Sequence, residues 1–450
     1  MIPKMLYLVA LPWLLLSFGC GASADDPQLE RQSYAAQGEG KGEKAAVLPQ
    51  VDCVTTAVPW PRGVRYVDGK LYALSRGIHR SAGGPQASIE DMGGSIFEID
   101  PSLAEPAIKG AVPSLALQQN AKVLAAPDPK VVRLWDRRMP ATLDRQTDRP
   151  YCMLLYDRES QSFFICAYSG IDLGQSPGFR KNASDAVHRY DLRSQSWHVV
   201  EQHDPSVVPM AEFGENVSSI YYPHHDPAKN PPPHGLVNGP CGGIIVGRYL
   251  YVGSNDNTAL AQYDLAAIRK DPNAGPPPGR FIFEGNKGYA EVEVKGQGLT
   301  KIMGTCAFAV NEGFLYVAFR TTSQILRFPL REDGGLEHPL VAEKIAQFSR
   351  YVHGKGGSAD IYDMCFGPDG LLYVSPGYDG AIYRFRPDPK RVWDSTKAAY
   401  QPFIDLEPLL GTKKSGNICF DDKGHLYVCS GQDLTPDSKI RGVIYRVRAR

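Results

Sequence analysis

Three kinds of residue in this chain could do chemistry: clustered histidines, recurring cysteines, and charged residues at strand ends. His224-His225-Asp226, followed by His234 across Pro231-Pro232-Pro233, is the most metal-like stretch. Imidazole and carboxylate together suit a transition metal, whereas adjacent histidines in a solvated loop are commonly plain surface residues. Nine cysteines are present without the paired CxxC spacing of a zinc site. Five of them, Cys152, Cys241, Cys306, Cys365 and Cys419, stand 11, 9, 9, 7 and 7 residues before a recurring apolar triplet. Even differences predict one strand face. Small buried thiols filling inner strands are the bland reading, and a soft-metal cage is the sharper one. No serine nucleophile elbow, HExxH, phosphate loop or dinucleotide glycine pattern occurs. The motifs therefore name no single reaction.

The elements that would position these residues follow from an internal repeat. The triplets are Leu71-Tyr72-Ala73, Phe163-Phe164-Ile165, Leu250-Tyr251-Val252, Leu315-Tyr316-Val317, Leu372-Tyr373-Val374 and Leu426-Tyr427-Val428. Each follows a short turn such as Asp68-Gly69 or Pro368–Gly370, which joins antiparallel strands. A third strand comes next, at Ile96–Ile99, Val187–Tyr190, Leu260–Tyr263, Ile325–Phe328, Ile382–Phe385 and Ile444–Val447. A fourth is readable at Trp197–Glu201, Arg280–Phe283, Ala342–Phe348 and Gln401–Leu406. Gly (45) and Pro (36) are abundant and helical periodicity is scarce, which suits short strands and many turns. The expectation is an all-β, six-bladed β-propeller over residues 47–450. The last repeat ends after its third strand, so the strand-like segment Val47–Thr56 is expected to pair with Ile444–Val447 and close the ring.

The long segments are Ile78–Gly93, Asp172–Asp185 and Gln432–Arg441 after second strands, and about Leu103–Asp148 and Asp204–Val237 before first strands. In a four-stranded blade these all fall on one face, the face expected to work. Polar residues where first strands start and second strands end should ring the channel mouth there: Arg76, Arg149, Asn238, Arg320, Asp363 and Asn417. Mixed charges of this kind suit a small anionic or polyol ligand, or a divalent cation with oxygen ligands.

The run Gly367-Pro368-Asp369-Gly370-Leu371-Leu372-Tyr373-Val374, followed by Ala381-Ile382-Tyr383-Arg384-Phe385, resembles an NHL-type repeat of the senescence-marker protein and gluconolactonase-like propellers. The resemblance implies a divalent metal such as calcium at the channel mouth, held by a glutamate, an asparagine and an aspartate. Asn238-Gly239 is similar to the asparagine motif, and Asp363-Met364-Cys365-Phe366 to the aspartate motif without its glycine. Val58-Pro59-Trp60-Pro61 stands where the glutamate would be. Two functions follow. One is a propeller binding a small molecule or a protein on its insertion-bearing face. The other is a metal-dependent hydrolase of a lactone or ester, with Asn238 and Asp363 as ligands.

The charge balance of 49 basic to 49 acidic residues leaves no net field for nucleic acid. Met5–Phe18 is apolar apart from Ser17 and has the length of a signal h-region. Residues 1–24 thus read as a signal peptide, cut after Ala22-Ser23-Ala24 or, by a lipobox-like Ser17-Phe18-Gly19, before a lipidated Cys20. Residues 25–46 read as a polar tether. An exported monomer is expected, periplasmic, outer-membrane-anchored or secreted, with no transmembrane span. Export permits disulfides. A hairpin centred near residue 159 would oppose Cys152 to Cys166, within bridging reach.

Overall fold

The computed structural model describes residues 49–75, 94–126, 151–167, 186–202, 240–254, 258–284, 289–348, 361–377, 380–395, 402–411, 415–430 and 442–448. Contacts divide the chain into Met1–Val47 and Leu48–Arg450, and every described residue belongs to the second unit. None of the described helices is long and apolar enough to cross a membrane.

The chain begins with β1 (Val51–Thr55), then β2 (Pro61–Val67), β3 (Lys70–Ser75), β4 (Ile96–Ile99), β5 (Glu105–Pro106) and β6 (Ala121–Ala125). The first sheet is ordered β2-β3-β4-β6. Asp68 and Gly69 between β2 and β3 have φ of 48° and 84°, the left-handed pair that a two-residue hairpin turn requires. The second sheet, β10-β9-β8-β7, uses β7 (Tyr151–Asp157), β8 (Ser162–Ala167), β9 (Ala186–Asp191) and β10 (Ser196–Gln202). The third comprises β11 (Pro240–Val246), β12 (Tyr249–Ser254), β13 (Leu260–Asp264) and β14 (Gly279–Phe283), with α1 (Ala266–Lys270) between the last two.

The fourth sheet is larger. A hairpin of β15 (Ala290–Val294) and β16 (Gly298–Ile302) precedes β17 (Thr305–Asn311), β18 (Phe314–Phe319), β19 (Gln324–Pro329) and β20 (Val341–Gln347). β15 joins β20 in parallel. The fifth sheet runs β21 (Ile361–Phe366), β22 (Leu372–Pro376), β23 (Ala381–Phe385) and β25 (Ile404–Asp405), while β24 (Trp393–Asp394) pairs with β20. After α2 (Leu406–Leu410) come β26 (Ile418–Phe420), β27 (Leu426–Ser430) and β28 (Val443–Val447). The sixth sheet is β26-β27-β28-β1-β5, and its register includes Val51 with Val447 and Cys53 with Tyr445.

The period-2 alternation of each triplet explains how sheets stack. Tyr72 and Leu74 face the second sheet, sharing a core with Leu154 and Phe163, while Leu71 and Ala73 face the sixth, beside Tyr427. Leu250 and Val252 pack on Phe164 of the second sheet, and Tyr251 turns to Leu315 of the fourth. Tyr316 meets Leu372 and Val374, and Tyr373 meets Leu426 and Val428. Both faces of every second strand are thus covered, which is why β22 and β27 are buried throughout. The innermost strands neighbour one another in the succession β2, β7, β11, β17, β21, β26 and back to β2. This is an all-β propeller.

Two expectations are corrected. Residues between β4 and β6 connect third to fourth strands, so only the part of Leu103–Asp148 beyond β6 precedes an inner strand. In the second sheet the register shifts between Tyr151 and Met153, so Met153, not Cys152, opposes Cys166. The added residue of a β-bulge defeats reflection about the turn. The expected Cys152–Cys166 bridge thereby loses its geometric basis, and the Cys152 side chain lies outside the described residues.

Candidate functional site at the channel end

The bulge of the second sheet recurs. Register shifts fall between Pro61 and Gly63, Tyr151 and Met153, Pro240 and Gly242, Thr305 and Ala307, and Ile361 and Asp363. The extra residues are Arg62, Cys152, Cys241, Cys306 and Tyr362. A bulge re-aims the side chain it carries, and the five register shifts fall at the same end of the inner strands. Cys365 and Cys419 instead oppose Tyr373 and Tyr427 deeper in their strands. The five cysteines therefore do not share one level. Among the described residues no group of three or more His, Cys, Asp or Glu side chains could hold a metal.

Two contacts show what the bulges bring together. The Arg62 guanidinium lies 3.9 Å from the centroid of the Tyr362 ring, joining the first and fifth sheets past β26. Both side chains are half-buried. Gly377 makes room for that ring, since a Cβ there would run into Tyr362 Cδ2 and Cε2. On the third and fourth sheets, Cys241 Sγ lies 2.8 Å from Cys306 Sγ and 3.1 Å from the Thr305 carbonyl oxygen.

One residue inward, Asp363 is buried and its oxygens are well occupied. Oδ1 accepts from the Met364 N–H at 3.0 Å, and Oδ2 accepts from the Ile418 N–H at 3.0 Å. Arg65 Nη1 stands 3.7 Å from Oδ2, and the Asn417 side chain also bonds to this carboxylate. Burial pushes the Asp363 pKa up, against the lowering influence of Arg65 and the hydrogen bonds. Nearby, Ser375 Oγ donates to Ser415 Oγ at 2.8 Å, and Ser415 Oγ donates to the Pro376 carbonyl at 3.0 Å.

Of the residues expected at the mouth, Asp363 and Asn417 come together on adjacent sheets. Arg320 follows the end of β18, where its N–H donates to the Gly304 carbonyl at 2.6 Å. Arg76, Arg149, Asn238, His224, His225, His234 and Cys20 lie outside the described residues. Arg62, Arg65 and Tyr362 escaped the sequence reading. The signal was their place two to six residues after a proline- or glycine-bearing approach to an inner strand, but a bulge has no composition of its own.

Among the described residues, Asp363 offers a divalent cation little. The oxygens of Asp363 already meet two backbone N–H donors, an amide and a guanidinium, and a cation ligand needs those lone pairs facing an open position.

The strand ends show where the long connections attach. Segments 76–93 and 431–441 leave from the ends of β3 and β27, and 127–150, 203–239 and 349–360 lead into β7, β11 and β21. Every one of these junctions is at the bulge-bearing end.

No family model matches the chain, and no curated protein matches it. Solved structures of similar shape include a luciferin-regenerating enzyme at 10% identity, covering 89% of this chain and 95% of that one, with a TM-score of 0.42. The calcium-binding protein regucalcin from Agrobacterium tumefaciens is 11% identical over 90% of this chain and 95% of its own, with a TM-score of 0.42. A streptogramin B lyase is 10% identical over 88% and 96%, with a TM-score of 0.38.

Proposed function

We propose that this protein is an exported, six-bladed propeller whose ring is closed by β1, and that it binds a small anionic molecule at the bulge-bearing channel end. The six sheets and the pairing of β1 with β28 support the blade count and the closure. Export rests on the apolar segment Met5–Phe18, with cleavage before Asp25 or lipidation at Cys20. The observation that carries the binding reading is the stacking of Arg62 on Tyr362 across the channel end. An aromatic face orients the planar guanidinium, whose forked donors match a carboxylate or phosphate. Arg65 stands beside the Asp363 carboxylate, and Arg320 follows β18 at this end. Asp363, the carboxylate described beside these groups, is buried, and burial raises its pKa.

A thermal-shift screen of small carboxylates, phosphates and sugar acids tests the reading. A saturable rise in melting temperature with an anionic compound is expected. A response confined to neutral or cationic compounds contradicts it. Mass spectrometry of the mature N-terminus tests export: an intact Met1 on the cellular protein would contradict both processing routes.

A further inference from the structure

We infer that Cys241 and Cys306 form a covalent site, closing to a disulfide that staples the inner edges of the third and fourth sheets. These are bulge residues at equivalent places on β11 and β17. Glycine brings the strands close enough. A Cβ on Gly242 would strike the Cys306 carbonyl oxygen, and one on Gly253 would sit 2.7 Å from Phe308 Cζ. With both side chains absent the strands approach, and the two sulfur atoms lie 2.8 Å apart. That is closer than two thiols packed only as core filler need to be. A bond requires only a short closing movement, with each thiol already facing the other.

The sites are unequally exposed: Cys241 is half-buried and Cys306 is buried. A disulfide-class oxidant such as oxidised glutathione therefore reaches Cys241 first. The Cys241 thiolate attacks one sulfur of the oxidant, releasing one thiol and leaving a mixed disulfide. Cys306 then gives up its proton and attacks the Cys241 sulfur, expelling the second thiol. Two electrons and two protons pass to the oxidant, which leaves as two thiols. Between the sheets at this point lie side-chain contacts rather than a hydrogen-bonded ladder. A covalent link adds what the packing lacks, across a loop of 65 residues.

The test uses the full chain, reduced and then incubated with oxidised glutathione, followed by thiol titration under denaturing conditions and peptide mass spectrometry. The expected result is a loss of two titratable thiols and a peptide pair linked through Cys241 and Cys306. In the Cys306→Ser variant, Cys241 should stop at the glutathione mixed disulfide. In the Cys241→Ala/Cys306→Ala variant, the oxidant should no longer alter the melting temperature. Retention of both thiols in the oxidised wild-type protein overturns the inference. So does a bridge joining either residue to another cysteine, or glutathione on both residues without a bond between them.

Discussion

Asp52 on β1 accepts from the Arg446 guanidinium on β28 at 2.8 Å, tying together two residues 394 positions apart. Arg448 adds bonds at 2.7 and 2.9 Å to the same carboxylate, which is fully buried. Burial alone would raise the Asp52 pKa, but Arg448 and Arg446 outweigh it and hold the group below its ordinary value. Its contribution to stability is therefore complete above an unfolded pKa of about 3.9 and is lost as pH falls through the lower folded value. Asp52→Asn should cost about 1–3 kcal/mol in urea unfolding at pH 7, because two partly exposed guanidinium groups lose their charged acceptor. The variant should also lose the acid-limb slope that the wild-type protein shows below about pH 4.

Removing residues 1–47 should leave the unfolding midpoint unchanged, whereas removing residues 1–57 should expose the β28 edge. An unpaired strand edge recruits other chains. Light scattering during a slow temperature ramp should show early aggregation for the longer deletion alone.

His188 on β9 is fully buried, opposite Ile165 and Val199, and neither ring nitrogen has a hydrogen-bond partner among the described residues. Burial lowers its pKa to about 4. The unfolded chain then binds the extra proton, so stability falls as pH drops from about 6.5 towards 4 and flattens below. The span is worth on the order of 3 kcal/mol. Urea midpoints measured at pH 7 and pH 5 should differ in the wild-type protein and converge in His188→Leu.

Gly377→Ala tests the seating of Tyr362. The added methyl group meets the ring, and overpacking of this kind costs about 1–3 kcal/mol. The variant should keep its far-ultraviolet circular dichroism, melt earlier and bind the channel-end anion more weakly. An unaltered melting temperature and affinity would show that the ring does not depend on this glycine.

The strands were legible because Leu-Tyr-Val triplets have one physical meaning in a sheet covered on both faces: alternate residues serve alternate neighbours. Cys419 pairs with Tyr427 in a hairpin that carries no register shift. The bulges were not legible. Each inserts one residue between Pro61 and Gly63 or between Tyr151 and Met153, changing register by main-chain geometry that no side-chain pattern records. That single residue misplaced Cys152 opposite Cys166 and hid Arg62 and Tyr362. The β15–β16 hairpin was missed for another reason. Ala290–Val294 alternates buried and exposed positions and carried a readable strand signal, but it lies outside the repeat. Asp363 and Asn417 were found because they lie near the starts of inner strands, where a polar residue stands out against the apolar run that follows.

The most direct test is calorimetric titration of the anion that gives the largest thermal shift, into wild-type protein and into Arg62→Ala. The channel-end account predicts one-to-one binding by the wild-type protein and at least a tenfold weaker affinity in Arg62→Ala, with both proteins melting cooperatively. Tenfold corresponds to about 1.4 kcal/mol, within the range of a charge-assisted contact. Equal affinities in the two proteins, or a wild-type protein indifferent to every anion, would contradict it.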